Sequence, residues 1–151
     1  MLSLNPGEPF KPLSNVASGG ELSRIMLALK TLKADKDGID AMIFDEIDAG
    51  ISGKTAWLVS EKLGALAKSS QVICITHLPQ IAAMADTHFV IVKETKAGRT
   101  ATRIKPVEEQ ALLEELARML GGDQITEAAL TNAAEMKRLA KEVKQRENGM
   151  A

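Results

Sequence analysis

The segment Ser18-Gly19-Gly20-Glu21 precedes a run of apolar residues at helical spacing. Ser18 and Glu21 have the spacing of a capping box, in which the two side chains satisfy backbone N–H groups at a helix start. A capped helix alone does not explain two glycines in its first turn, because each costs on the order of 1 kcal/mol relative to Ala. Bare backbone at a helix N-terminus suits a phosphate. The segment therefore predicts either a plain capped helix or a phosphate contact made by Ser18, Gly19 and Gly20.

The acidic pair Asp45-Glu46 directly follows the apolar run at residues 41–44. Such a run is typical of a strand buried on both faces, which would place both carboxylates at the end of a sheet. One carboxylate can bind Mg²⁺, which keeps most of its waters and takes only one or two protein carboxylates. The other can act as general base on a water molecule. A solvated strand terminus explains the same pair without any chemistry.

His77 directly follows the next apolar run, at residues 72–76. The simplest interpretation is a hydrogen-bonded histidine at a sheet edge.

Gly53-Lys54-Thr55 matches the second half of the phosphate-binding pattern G-x-x-x-x-G-K-[ST]. Asp48 stands where that pattern requires its first Gly, and the segment is not expected to open a strand-to-helix unit of the right length. We therefore expect no phosphate-binding loop here.

The helices and strands that must position these residues alternate along the chain. The patterns predict helices at 22–34, 54–68, from Pro79, from Glu108 to Gly121-Gly122 and after Thr126, and strands at 41–44, 72–76, 89–92 and 100–104, the last two joined at Ala97-Gly98. This order predicts an α/β fold with a largely parallel sheet. Ligands of such sheets bind at the carboxyl ends of the strands.

Composition excludes several classes of function. The 151 residues fit one domain, and 45% hydrophobic with 26% charged residues is ordinary for a globular protein. Aromatic residues make up 3% of the chain, too few for a surface that stacks nucleic-acid bases. The net charge of -1 gives no basic footprint, so this part is not expected to be a main DNA contact. Four basic residues near the end alternate with glutamates and predict a solvated helix face: Lys137, Arg138, Lys141 and Lys144.

Cellular location is indicated only indirectly. Cys74 lies in an apolar run and is interpreted as a small buried hydrophobe rather than a reactive thiol. No stretch approaches 18 apolar residues, and the first residues lack the pattern of a signal peptide. We expect a cytoplasmic protein with no membrane partner.

Three motifs in order resemble the ABC ATPases of bacterial DNA repair, relatives of the structural-maintenance-of-chromosomes proteins. They are residues 13–24 (LSNVASGGELSR), 42–53 (MIFDEIDAGISG) and 76–80 (THLPQ). The resemblance continues at 5–9 (NPGEP) and 116–122 (LARMLGG), so that it covers essentially the whole chain. Each motif alone is moderately specific, and the three together are strongly so.

The resemblance implies the C-terminal lobe of an ABC-type P-loop ATPase head and a role for each motif residue. Ser18-Gly19-Gly20 would be the signature that touches the γ-phosphate of ATP held by a partner subunit. Asp45 would be the Walker B carboxylate on Mg²⁺, and Glu46 the general base. His77 would be the switch histidine near the γ-phosphate.

Two residues depart from the pattern that the resemblance implies. Many ABC proteins have Gln where this chain has Glu21, which we assign to capping because carboxylate and phosphate repel. Related proteins often have Asp in place of Ser52. The role of the loop around Ser52 across a dimer is therefore left open.

The resemblance also implies an organisation and partners. Residues 1–17 would be an extended lead-in, 18–107 the core with the signature, Walker B and switch histidine, and 108–151 C-terminal helices. The phosphate-binding part and a coiled coil would lie in an N-terminal part of the polypeptide that this chain does not contain. That part, a second copy of the head joined through ATP, and DNA reached by the full-length protein would be the partners, at the nucleoid.

Two functions remain open at this level. One is an ATP-hydrolysing head acting in double-strand break repair and recombination, which this chain alone would not complete. The other is a non-hydrolysing module that only docks subunits of a DNA-tethering protein. Glu46 favours the first, because docking needs no general base beside a metal carboxylate.

Overall fold

The computed structural model describes residues 7, 9–10, 12, 17–33, 38–96 and 99–148. The elements are α1 (Gly19–Lys33), β1 (Ala41–Phe44), α2 (Gly53–Leu66), β2 (Gln71–Cys74), α3 (Pro79–Met84), β3 (His88–Lys96), β4 (Arg99–Val107), α4 (Glu109–Gly121) and α5 (Glu127–Asn148). Their alternation confirms the predicted α/β class. The chain divides into two compact units, Met1–Thr76 and His77–Ala151.

The first unit is built on a parallel strand pair. β1 and β2 are in register from Ala41 opposite Gln71 to Phe44 opposite Cys74, so both strands end at one edge. α1 and α2 pack in the same unit. Its buried apolar side chains come from α1, α2, β1 and the following turn: Leu27, Phe44, Ile47, Ala56, Val59, Leu63 and Leu66.

The prediction that β1 is buried on both faces is wrong for this chain. Ile43 is 70% exposed, whereas its neighbour Phe44 is buried. Ile73 of β2 is 47% exposed. Side chains alternate between the faces of a strand, and the described residues cover only one face of this pair with an apolar layer. The apolar run therefore predicted the strand correctly, but it did not predict which faces of the strand are covered.

The second unit combines three helices with a hairpin. β3 and β4 pair antiparallel from His88 opposite Val107 to Lys96 opposite Arg99. Parallel pairing among the described strands is thus limited to β1 and β2, which is less than the largely parallel sheet that was predicted. A two-residue connection, as between β3 and β4, can join only antiparallel strands. The predicted turn at Ala97-Gly98 lies outside the described residues. The buried apolar side chains of this unit come from α3, α4 and α5: Ile81, Ala83, Met84, Leu112, Leu116, Ala117, Ala133 and Ala140.

Local stop and start signals are confirmed in the second unit. α4 ends at Gly121, and Gly122 follows with φ of 80°, a conformation that favours glycine. The Thr126 hydroxyl accepts a hydrogen bond from the Ala129 N–H at 3.1 Å, which caps α5. Among the described residues, no helix has the length and apolarity needed to cross a membrane.

Candidate functional site

The start of α1 is a capping box, as the spacing predicts. The Ser18 N–H and hydroxyl donate to Glu21 Oε2 at 2.8 and 2.9 Å. The Glu21 N–H donates to Ser18 Oγ at 3.4 Å. The two hydrogen bonds that Ser18 donates lower the pKa of the Glu21 carboxyl. The assignment of Glu21 to capping is therefore confirmed.

The two glycines of α1 lie against the turn that follows β1. A Cβ on Gly19 would come within 2.5 Å of Glu46 Oε2. A Cβ on Gly20 would come within 2.7 Å of the Glu46 carbonyl oxygen and 2.8 Å of the Ala49 Cβ. Close approach within one chain thus explains both glycines, which a capping box alone could not. It also brings the Ser18-Gly19-Gly20 segment to the acidic strand end.

Two further α1 side chains hold this contact, and the sequence reasoning missed them. The Ser23 hydroxyl donates to the Asp45 carbonyl oxygen at 3.0 Å. Arg24 Nη1 donates to the carbonyl oxygens of Ile47 and Ala49 at 3.0 and 2.8 Å. Their only sequence signal was their position one turn after the glycines. They fix the acidic turn to the start of α1.

Asp45 and Glu46 are both exposed at the end of β1. Asp45 Oδ1 accepts a hydrogen bond from the Glu46 N–H at 2.9 Å. Glu46 has φ of 55°, a left-handed conformation that costs a non-glycine residue about 1–2 kcal/mol. Residues held in such conformations cluster at functional sites. The backbone at Glu46 is therefore the strained point of this edge.

The acidic edge offers one or two carboxylates, which is the number that Mg²⁺ takes from a protein when waters complete its coordination. An exposed carboxylate such as Asp45 is a hard oxygen ligand of the kind Mg²⁺ prefers. The described residues contain no group of three or more Asp, Glu, His or Cys side chains placed to hold a metal. A cage made of protein ligands alone is thus absent from the described part of the chain.

Asp48 is buried in the turn after β1, and the Thr76 hydroxyl donates to its Oδ2 at 2.6 Å. α2 begins at Gly53 after β1, which agrees with the predicted strand at 41–44 and the helix predicted from residue 54. Asp48 still occupies the place of the first glycine of that pattern. A buried carboxyl there is incompatible with a backbone cradle for phosphates.

Cys74, at the end of β2, is half-buried. Burial first, and then the nearby charges of Asp48 and Asp45, raise the pKa of its thiol to about 12. The thiol is therefore protonated at neutral pH and a poor nucleophile. This agrees with the interpretation of Cys74 as a structural residue.

His77 is exposed and is the first residue of the second unit. The structure brings the predicted residues Ser18, Gly19 and Gly20 together with Asp45 and Glu46 within the first unit. His77, the sixth predicted site residue, lies outside that unit.

Comparison with known proteins identifies the relatives of this chain. It is 49% identical over 144 residues to the DNA repair protein RecN of Bacillus subtilis and 50% identical over 143 residues to that of Halalkalibacterium halodurans. Each alignment covers 95% of this chain and 25% of the relative. The chain is a homologue of the C-terminal part of RecN.

RecN of Deinococcus radiodurans is also similar, with 50% identity over 135 residues, which are 89% of this chain and 23% of the relative. No family model matches the chain. The motifs at 13–24, 42–53 and 76–80 predicted kinship with proteins of bacterial DNA repair, and these similarities confirm that prediction. The chain spans about a quarter of the length of the RecN proteins that it matches.

Proposed function

We propose that this chain is the C-terminal part of the ATP-hydrolysing head of a RecN-like protein that acts in double-strand break repair and recombination. One observation carries the proposal: in a homologue of DNA repair proteins, Gly19 and Gly20 at the start of α1 lie directly against Glu46, the neighbour of Asp45. A helix N-terminus that faces an acidic strand end joins a phosphate contact to a metal carboxylate and a base.

Each acidic residue has its own role in the proposal. Asp45 is an exposed carboxylate and would hold Mg²⁺, which would neutralise phosphate charge when it is bound. Glu46 would accept the proton of the attacking water. The hydrogen bonds from Ser23 and Arg24 to carbonyl oxygens of this turn fix the backbone that carries the Glu46 carboxylate.

The signature segment would serve a second copy of the head. Ser18, Gly19 and Gly20 present a helix N-terminus to phosphate, and we assign to them the ATP held by the opposite subunit. Glu46 Oε2 lies over Gly19 in the chain alone, so that a phosphate entering here requires this side chain to move. His77 would act as the switch histidine near the γ-phosphate. ATP would thus join two heads.

The uncovered apolar side chains of the first unit support a partner from the same polypeptide. Ile43 and Ile73 are exposed on the strands, and four side chains of α1 are exposed as well: Leu22, Met26, Leu29 and Leu32. Large exposed apolar surfaces mark interaction sites. We assign this surface to the N-terminal part of the head, which would also bring the phosphate-binding loop. The full-length protein would reach DNA at the nucleoid, in the cytoplasm.

Glu46→Gln in a full-length RecN-like protein that carries this chain tests the proposal. The amide keeps the shape of the side chain but cannot accept a proton, so ATP turnover should fall by about 10² to 10⁴. Binding of a fluorescent ATP analogue should be retained, and ATP-bound dimers should accumulate. Steady-state turnover and analytical ultracentrifugation measure the two effects.

Glu61→Gln, on α2 of the same unit, is the matched control and should leave turnover unchanged. Unchanged turnover in Glu46→Gln would rule out Glu46 as the base and would favour the docking module. Loss of ATP binding in Glu46→Gln would assign this residue to binding rather than to proton transfer.

A further inference from the structure

The β3–β4 hairpin concentrates positive charge that the composition of the whole chain conceals. Residues 88–107 contain five basic residues and one acidic residue, Glu94, which gives a net charge of +4. The net charge of the chain is -1, so all other residues together carry -5. The five basic residues are Lys93, Lys96, Arg99, Arg103 and Lys105. The hairpin is thus a cationic element in an otherwise acidic chain.

The hairpin is a long, exposed ribbon. Each strand has nine residues, which corresponds to a length of about 30 Å. Every residue of β4 except Val107 is exposed. Successive side chains alternate between faces, so that Arg99, Arg103 and Lys105 share one face. Lys93 lies on the other face with three threonines: Thr95, Thr100 and Thr102.

The positive charge of the ribbon is only partly neutralised. Arg103 and Lys105 both contact the Glu94 carboxylate, at 3.4 and 2.8 Å. Their side chains are still 63% and 52% exposed. Lys93 and Arg99 form no ion pair with any residue that the structure describes. The single Glu94 carboxylate cannot neutralise these four cations, whereas a polyanionic ligand can.

The basic residues of α5 differ because the fold already uses most of them. Lys137 Nζ donates to the carbonyl oxygens of Ala83 and Ala85. Arg138 pairs with Glu135 and Glu142, and Lys144 pairs with Asp86. Within the described second unit, the hairpin is therefore the better cationic surface for an external ligand.

We propose that the β3–β4 ribbon binds the phosphate backbone of duplex DNA; this rests on the proposed function in DNA repair. A two-stranded ribbon fits the major groove, which is about 12 Å wide. Cations and hydroxyls are the groups that contact phosphates. The outer half of the ribbon, residues 93–103, has no aromatic side chain, which disfavours stacking on single-stranded bases. Binding should therefore depend on salt and little on sequence.

The test uses the full-length protein with Lys93→Gln and Arg99→Gln combined. Fluorescence anisotropy with a duplex of about 30 base pairs, between about 50 and 200 mM salt, gives the affinity and its salt dependence. Losing two phosphate contacts should weaken binding roughly tenfold or more near 0.1 M salt. It should also lower the slope of log K against log salt by about 2.

Two control proteins accompany this variant. Lys62→Gln with Lys141→Gln removes the same charge from α2 and α5 and should keep the affinity. Lys93→Arg with Arg99→Lys preserves the charge of the ribbon and should also keep it. ATP turnover without DNA should be equal in all four proteins.

Unchanged DNA affinity in the ribbon variant would overturn the proposal. An equal loss in the α2 and α5 control would also overturn it, because the effect would then be one of net charge. A full-length protein that hydrolyses ATP but does not bind duplex DNA would overturn the proposal and leave the ATPase function intact. A protein that binds DNA through the ribbon without hydrolysing ATP would overturn only the ATPase function.

Discussion

Gly19 and Gly20 are neighbours in the sequence, but the atoms that face them differ in stiffness. The nearest atom to an added Cβ at Gly19 belongs to the end of the Glu46 side chain, which can rotate away. The nearest atoms at Gly20 belong to the Glu46 backbone and to Ala49. Backbone cannot move without separating α1 from the acidic turn. Substitutions at the two positions therefore distinguish a functional role of Gly19 from a packing role of Gly20.

We expect Gly19→Ala to change the free energy of unfolding by less than about 1 kcal/mol, because helix propensity favours Ala. Gly20→Ala should destabilise the protein by roughly 1–3 kcal/mol through overpacking. Gly19→Ala should nevertheless slow ATP turnover in the full-length protein, since the added Cβ would occupy the bare backbone that is proposed to contact phosphate. Urea unfolding and steady-state turnover measure these quantities.

Each glycine serves as the control for the other in this experiment. Equal stability of the two variants would contradict the packing account of Gly20. Full turnover in Gly19→Ala would show that hydrolysis does not require bare backbone at this position.

At the scale of elements, Lys137 joins α5 to the end of α3. Its Nζ lies 3.0 and 2.8 Å from the carbonyl oxygens of Ala83 and Ala85 and 3.1 Å from His88 Nε2. The prediction of a solvated helix face is wrong for this residue. An ammonium with these contacts requires His88 Nε2 to be the acceptor, and therefore a neutral imidazole.

Burial and then the charge of Lys137 lower the pKa of His88 to about 4, from an ordinary value of 6.5. Between these values the unfolded chain binds more protons than the folded one. The free energy of unfolding should therefore fall as the pH decreases from about 6.5 to about 4. His88→Gln should flatten this dependence, because the amide does not titrate.

Urea unfolding midpoints of the 151-residue chain across this pH range measure the effect, and the His88 ring signals in NMR give its pKa directly. A His88 pKa near 6.5 would contradict the buried contact with Lys137. A slope that survives His88→Gln would assign the acid sensitivity to other groups.

At the scale of the whole molecule, the chain carries the proposed metal carboxylate and the proposed base but no phosphate cradle among its described residues. The Gly53-Lys54-Thr55 segment opens α2, yet the buried Asp48 carboxyl stands where a phosphate-binding loop needs bare backbone. The isolated chain should therefore bind Mg-ATP weakly or not at all. Isothermal titration calorimetry with the 151-residue chain tests this.

A full-length RecN-like protein that carries the chain is the positive control and should bind Mg-ATP under the same conditions. A micromolar dissociation constant with one site per isolated chain would contradict the prediction. It would mean that Gly53-Lys54-Thr55 contacts phosphate in spite of Asp48.

The sequence by itself determined the features that depend on residues within about four positions of each other. Ser18 and Glu21 form the predicted capping box, Gly122 ends α4, and Thr126 caps α5. Hydrogen bonds at helix ends join close neighbours, so that residue type and spacing are sufficient to predict them. Motif order was sufficient to predict kinship with bacterial DNA-repair proteins, which the similarities confirm.

Only the tertiary structure decided which distant residues meet. The Thr76 hydroxyl bonds to Asp48 across 28 positions, and Lys137 reaches Ala83 across 54. The contact of Gly19 with Glu46 and the exposure of Ile43 could not be predicted from the sequence either. These features depend on the path of the chain and on which layers cover a strand, and neither is encoded in local spacing, because burial is a property of the whole packed arrangement.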